Sequence, residues 1–306
     1  MNYGRIVNKQ GQTEEQFLAS YDANAYEKPS VAVDMLIFTV TNEENKNYRK
    51  LPEKVLKLLM IKRGEHPYMG QWALPGGFVK MNESIEEAAQ RELKEETNID
   101  NVYMEQLYTW GDVERDPRTR VISVSYMALV DSSGLDISGS SDAADAKWFT
   151  VSCKSYQEKK TINENGYALE KLFKLNLYNE VEKLSAIVKV VKTLEGKVMR
   201  IQREVVESNG VAFDHAKIIV YGIERLRNKI EYTDIAFNLM PELFTLTELQ
   251  QVYEIILDTE LLKANFRRKI ANMVIETNKF KKDVGHRPSK LFKFNPNWAN
   301  GSKAEE

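Results

Sequence analysis

The chain has 306 residues, 42% hydrophobic and 29% charged, which is enough for two domains and marks an ordinary globular protein rather than a fibrous or disordered one. Its single cysteine, Cys153, excludes an intrachain disulfide, and a structural or partly buried thiol is expected there because no Cys/His motif accompanies it. No apolar run approaches the roughly 20 residues of a membrane span, and the first ten residues lack a signal-peptide apolar region, so a cytoplasmic protein with no membrane partner is expected.

Up to about Pro29 the sequence is polar with scattered aromatics and carries no decisive signal. Val31 to Val40 is an apolar run of strand length, 42–51 reads as a polar loop, and Val55 to Ile61 reads as a second strand closed by Arg63. Val102 to Trp110 and Val121 to Val130 read as further strands, separated by the charged turn Gly111 to Arg118 with Pro117 as punctuation. Residues 131–145 form a Ser/Gly/Asp loop, and Lys147-Trp148-Phe149 begins another short strand. About 155–210 reads as an insertion with a helix over Ala168 to Tyr178 and a hairpin, Leu184 to Lys192 and Lys197 to Val206, turning at Glu195-Gly196. A helix follows from Phe213-Asp214-His215-Ala216 to about Lys229, with Asp214 as its N-cap.

The last domain is expected over 230–296. A helix over Thr247 to Leu257, capped by Thr245 or Thr247, leads through a short turn to Lys263-Ala264-Asn265-Phe266-Arg267-Arg268-Lys269-Ile270. Phe266 and Ile270 face inward and the basic residues outward. Val274 to Thr277 and Lys290 to Phe294 would form a two-strand wing around a basic loop, so the unit reads as a winged helix-turn-helix or as a solvated basic face on a helical cap. From Leu261 to Lys293 ten basic residues stand against two acidic ones, a balance of +8 that leaves −10 for the rest of a chain whose net charge is −2. One end is therefore a candidate anion-binding surface, and on the winged-helix reading its partner is double-stranded DNA. The DNA contacts expected are Lys263, Asn265, Arg267, Arg268 and Lys269 on the second helix, with Lys282 and Arg287 on the wing. Residues 297–306 are expected to be a disordered tail.

The stretch from Gly76 to Ile99, GGFVKMNESIEEAAQRELKEETNI, organises the rest. Ser84 and Glu87 make a capping box, Ile85, Ala89 and Leu93 give an apolar stripe, and Asn98 stands where a left-handed C-terminal residue is usual. Glu92, Glu95 and Glu96 lie at i, i+3 and i+4, so three carboxylates project from one face and repel unless a cation offsets them. A hard divalent cation, Mg²⁺ or Mn²⁺, suits such oxygens and usually brings substrate phosphates as further ligands. Arg91 adds a fixed cation beside the cluster, and Gly76-Gly77 lets backbone approach whatever is held. Taken alone, an E-x-x-E-E helix is more often a solvated acidic face.

The spacing, however, resembles the Nudix box, G-x5-E-x7-R-E-U-x-E-E-x-G-U with U aliphatic: Gly77, Glu83, Arg91, Glu92, Leu93, Glu95, Glu96 and Ile99 fit, and Asn98 replaces the family glycine. With the E-R-D-P-R-T-R-V-I-S-V segment, the F-D-H-A helix and the C-terminal domain, most of the chain from about Val31 to Pro296, the insertion excepted, resembles the Nudix-related transcriptional regulators of NAD and sugar metabolism. The resemblance implies an α+β fold, an α/β/α Nudix domain with a mixed sheet over 1–229, followed by the small winged helix. It implies metal-dependent hydrolysis of a nucleoside diphosphate derivative such as ADP-ribose, with Glu83, Arg91, Glu92, Glu95 and Glu96 catalytic, the last three glutamates holding the metal, and a DNA-bound homodimer. Gly76, Gly77, Arg63 and Arg118 are candidate nucleotide contacts. Glu92, Glu114, Asp116, Asp142 and Asp145 are candidate general bases, and Trp110 and Tyr126 would stack on a base or pack in the core. A non-catalytic ligand-sensing repressor, and an enzyme whose C-terminal domain only mediates dimerisation or protein interaction, are the alternatives.

Overall fold

The computed structural model describes residues 6–43, 52–134, 146–281 and 288–298. A short helix, α1 (Glu14–Ser20), precedes a ten-stranded mixed sheet. Its strands are β1 (Ser30–Asn42), β2 (Lys54–Lys62), β3 (Trp72–Ala73), β4 (Gly76–Phe78), β5 (Tyr103–Trp110), β6 (Val121–Val130), β7 (Ala146–Asn163), β8 (Gly166–Tyr178), β9 (Lys183–Glu195) and β10 (Val198–Asn209). Eight of them lie in the order β10-β9-β8-β7-β2-β1-β6-β5, with β3 beside β2 and β4 beside β1. The neighbours β1 and β6 are parallel.

β1 explains its own apolar run, because it is covered on both faces. Val33, Met35 and Ile37 pack with Ala88, Ala89 and Leu93 of α2 (Ile85–Thr97). Leu36, Phe38 and Val40 point the other way, into a larger core with Ile219 and Ile223 of α3 (His215–Lys229). α3 comes close there because of Gly222: a Cβ on it would sit 2.4 Å from Leu36 Cδ2.

The insertion differs from the expectation. No helix covers Ala168 to Tyr178; that segment is strand β8, paired along its length with β7 on one side and β9 on the other. Its second half alternates buried Phe173, Leu175 and Leu177 with more open Lys174, Asn176 and Tyr178, the period of a strand. Nor is the strand at Lys147 short: β7 runs 18 residues and carries the sheet outward into a β7–β10 meander. The β9–β10 hairpin turns at Gly196, as read.

The winged helix comprises α4 (Leu246–Leu257), capped by a Thr245–Glu248 box, α5 (Lys263–Ile270), and the wing β11 (Val274–Lys281) and β12 (Ser289–Phe294). Leu249, Val252, Tyr253 and Ile256 of α4 and Phe266 and Ile270 of α5 belong to the same core as Leu36 and Phe38, so no break in packing separates this unit from the sheet. Arg227 of α3 fastens the junction, donating from Nε to Ile256 O at 2.9 Å and from Nη2 to Cys153 O at 2.9 Å. Asn297 and Trp298, assigned to the tail from sequence, instead form a turn with Trp298 packed on the core, where its large ring finds apolar partners; residues 299–306 lie outside the described residues.

Candidate functional site

α2 begins and ends as its sequence dictates. Ser84 Oγ accepts the Glu87 N–H at 3.1 Å, Glu87 Oε2 accepts the Ser84 N–H at 2.7 Å, and Asn98 is left-handed at φ 55°. The acidic face is then drawn together by Arg91. Its guanidinium grips Glu83 in a fork (2.8 and 3.1 Å) and reaches Glu92 Oε1 at 2.7 Å and Glu95 Oε2 at 3.3 Å. The Arg91 fork, helped by the Lys80 N–H, holds the Glu83 carboxyl down to about 2. Glu92 and Glu96 go the other way. Burial raises both, Arg91 offsetting part of the rise at Glu92, while Glu92 and Glu95 push Glu96 up further.

Two observations bear on a metal. Glu96 Oε2 is buried with no hydrogen-bond partner, and the chemistry of the donor set, carboxylates lifted by burial and mutual repulsion, suits a hard divalent cation. Yet among the described residues no three acidic, His or Cys side chains stand close enough to hold an ion, because Arg91 occupies Glu92 and Glu95.

Directly behind Glu92 lies a pocket of about 210 Å³. Gly77 is the wall between them: a Cβ there would stand 2.3 Å from Glu92 Oε1, so only glycine lets the carboxylate approach. The pocket is framed by β1, by Gly76 to Phe78 of β4, by the loop before β6 and by the N-terminus of α3. All four nucleotide candidates from sequence, Gly76, Gly77, Arg63 and Arg118, line it. Arg118 is bound in a fork to the buried Asp116 (2.7 and 3.0 Å), which holds that carboxyl below its ordinary value, and lies 5.5 Å from the Phe78 ring. Arg63 lies 4.8 Å from the Phe213 ring and, among the described residues, donates only to backbone carbonyls, those of Pro67 and Glu65. It is the cation the pocket leaves uncommitted; burial and the Arg118 charge lower it.

The floor is a charge network that sequence reasoning missed. Arg115, with a side chain 6% exposed, forks onto Asp214 (2.8 and 3.1 Å) and reaches Asp34 at 3.3 Å. Asp34 also accepts from Ser123 Oγ and faces His215 Nε2 at 3.5 Å. His215 Nδ1 accepts the Leu74 N–H at 2.9 Å, so its proton sits on Nε2 toward Asp34, and burial lowers its pKa and keeps the ring neutral. Asp214 occupies the N-cap position of α3 but makes no cap hydrogen bond, because Arg115 and Lys217 take its carboxylate. The signal was present in β1: Asp34 is the only charge in VAVDMLIFTV.

Of the remaining candidates, Trp110 and Tyr126 are buried, and Trp110 Nε1 donates to Ser125 Oγ. Glu114 is exposed, and Asp142 and Asp145 lie outside the described residues. On the winged helix Lys263, Asn265, Arg267, Arg268 and Lys269 are all exposed on α5, while Phe266 and Ile270 are buried. Arg268 donates to Asn265 Oδ1 at 3.3 Å. Lys282 and Arg287 lie outside the described residues.

Residues 32–169 match the Nudix domain family, and residues 236–294 match the NrtR DNA-binding winged helix domain. The chain is 33% identical over 287 residues to the ADPR-responsive transcriptional repressor NtrR of Acinetobacter baylyi, covering 92% of this chain and 88% of that protein. It is 37% identical over 126 residues to the ADP-ribose pyrophosphatase of Methanocaldococcus jannaschii, 41% of this chain and 64% of that one. Among solved structures it resembles a MutT/nudix family protein from Enterococcus faecalis (TM-score 0.61, 28% identity, 94% and 95% of the two chains). It also resembles Shewanella oneidensis NrtR complexed with a 27mer DNA (TM-score 0.59, 27% identity, 88% and 95%).

Proposed function

This chain belongs to the family of Nudix proteins that carry an NrtR-type DNA-binding winged helix, and on that premise we propose that it is an ADP-ribose-responsive repressor which also hydrolyses its ligand. The observation that carries the reading is the shared wall at Gly77, with the box carboxylate Glu92 on one side and the arginine-lined pocket on the other. Arg63 and Arg118 bind the phosphates of an ADP-ribose-like nucleoside diphosphate, and the Phe78 and Phe213 rings flank them. Glu92, Glu95 and Glu96 would hold Mg²⁺ or Mn²⁺ once Arg91 gives up Glu92 and Glu95, leaving Arg91 on Glu83 to keep the helix face in place. The metal, when bound, supplies charge neutralisation and an acidified water.

α3 links ligand to DNA. Its N-terminus forms the pocket wall through His215, and its C-terminal end is tied to α4 by Arg227, about 18 Å away at 1.5 Å per residue. A ligand that shifts α3 biases how α4 and α5 present Arg267 and its neighbours, provided it binds the two positions with different affinity. We infer a homodimer located in the cytoplasm, since operators read by such motifs are usually two-fold.

One observation favours a sensor without hydrolysis: Arg91 already holds Glu92 and Glu95. The two readings part in a single experiment, release of phosphate monoesters from ADP-ribose with Mg²⁺, with Mn²⁺ and with EDTA. Metal-dependent turnover is expected; binding of ADP-ribose with no turnover under any condition would leave the sensor alone.

A further inference from the structure

A second pocket, of about 290 Å³, lies between the middle of α3 and the strand extension. The register builds its floor: Leu169, Lys192 and Ile201 face one another across β8, β9 and β10, and so do Lys171, Val190 and Arg203 in the next row. Lys171, Lys192 and Arg203 are therefore neighbours on one face of three adjacent strands. The roof is Tyr221, Glu224, Arg225 and Asn228, at i, i+3, i+4 and i+7 of α3, a single helix face. A helix face turned toward a sheet is normally apolar; this one is polar and leaves a cavity.

The charges are not balanced within it. Lys171 pairs with Glu158 at 2.9 Å, but among the described residues Lys192, Arg203 and Arg225 form no ion pair. The Arg203 guanidinium stacks 4.6 Å from the Tyr221 ring centroid, and its Nε is buried with no hydrogen-bond partner. Like charges grouped across strands repel, and a buried donor without an acceptor is unfavourable. Glu224 is the one carboxylate present; burial raises it while Arg203, Lys171 and Arg227 pull it down, and it forms no ion pair among the described residues.

We propose that this pocket binds a small phosphate monoester, its phosphate accepting from Arg203 Nε, Lys192 and Arg225 and its hydroxyls turned toward Glu224 and Asn228. A planar arginine fork and two further cations match a dianion better than a lone carboxylate. The volume is close to the roughly 300 Å³ at which small-ligand pockets begin. The site stands independently of the ADP-ribose pocket, but its occupant touches the same helix, over Tyr221 to Asn228.

The test reads Arg203 itself. In full-length protein labelled with ¹⁵N-arginine, the side-chain Nε–Hε signal that disappears in Arg203→Gln is titrated with AMP, ribose 5-phosphate, inorganic phosphate and adenosine. Both esters are expected to shift it saturably, and adenosine to leave it unmoved. The dissociation constant should rise at least tenfold in Lys192→Gln, a change at a half-buried pocket residue whose fold is checked by circular dichroism. A signal that neither ester moves, that adenosine moves equally, that inorganic phosphate saturates as tightly as the esters, or that titrates unchanged in Lys192→Gln overturns the proposal.

Discussion

α2 and α3 cover opposite faces of β1, and they treat charge in opposite ways. α2 buries four residues, Glu92 among them, half-buries Glu96 and exposes Glu95, with Arg91 as the principal counter-charge of the cluster. α3 buries nine residues, and the charges at its N-terminal end, on Asp214 and Lys217, are spent internally on Arg115 and Asp112. An under-neutralised acidic face is a place where a cation can be gained. A fully paired helix end, wedged between a pocket and the winged helix, is one whose position matters. The proposed function puts chemistry on α2 and transmission on α3, and substitutions on each should fail differently.

The largest effect is expected at Arg115. Arg115→Ala leaves Asp34 and Asp214 as buried carboxylates without their cation, and should lower unfolding free energy by about 3–5 kcal/mol. Urea unfolding monitored by tryptophan fluorescence measures this; a loss under 1 kcal/mol would mean that α3 is not anchored through its charges.

Next comes Glu96→Gln, on the other helix. ADP-ribose turnover should fall by roughly a hundredfold or more, about 2.7 kcal/mol of barrier. Thermal stability should not fall with it, because burial and its glutamate neighbours already disfavour the Glu96 charge. For such a raised carboxyl the sign is that folding loses stability as pH climbs above the ordinary glutamate range, so removing the charge helps at neutral pH. A variant with full turnover would detach α2 from the chemistry.

On the winged helix, Arg267→Ala should cost about 1–3 kcal/mol of specific DNA affinity and relax sequence choice, whereas Lys269→Ala should weaken all DNA about equally and flatten the salt dependence. Fluorescence anisotropy at two salt concentrations, with matched and scrambled DNA, distinguishes them; equal losses on both DNAs for Arg267 would place it on phosphates.

The smallest expected effect is a pH signature of α3. Burial depresses the His215 pKa in the folded state, with Asp34 and Asp214 opposing and Arg115 and Arg63 assisting. A depressed folded value means stability is present above the unfolded value of about 6.5 and is lost as pH falls below it. The melting temperature of the protein should therefore drop more between pH 7 and pH 5 than that of His215→Gln, and parallel curves would contradict this.

How much of this could be read from the chain depends on distance along it. α2 was legible to its caps because Ser84, Glu87, Arg91 and Asn98 act within a few residues of one another, and the box has fixed spacing. β8 was misread because Leu169, Leu172 and Phe173 fall at helical intervals; the strand prevails because β7 and β9 satisfy both its edges, which no local pattern reveals. The network under the pocket was legible only at Asp34, the one charge in β1, and its partners were hidden for the same reason. Arg115 stands 81 residues from Asp34 and 99 from Asp214, so the charged turn that held it gave no hint of its partners. Arg63 and Arg118 were singled out and line the pocket, but the Phe213 ring beside both was not.

The central claim is that nucleotide in the arginine-lined pocket controls DNA binding through α3. Glu96→Gln protein, which should hold ADP-ribose without consuming it, can be titrated with DNA from upstream of its own gene by fluorescence anisotropy, with and without saturating ADP-ribose. The account predicts an affinity shift of about fivefold or more, the lower end of ordinary coupling, that disappears in Glu96→Gln/Arg63→Gln. Superimposable DNA titrations in a protein that calorimetry shows to be saturated with ADP-ribose would contradict it.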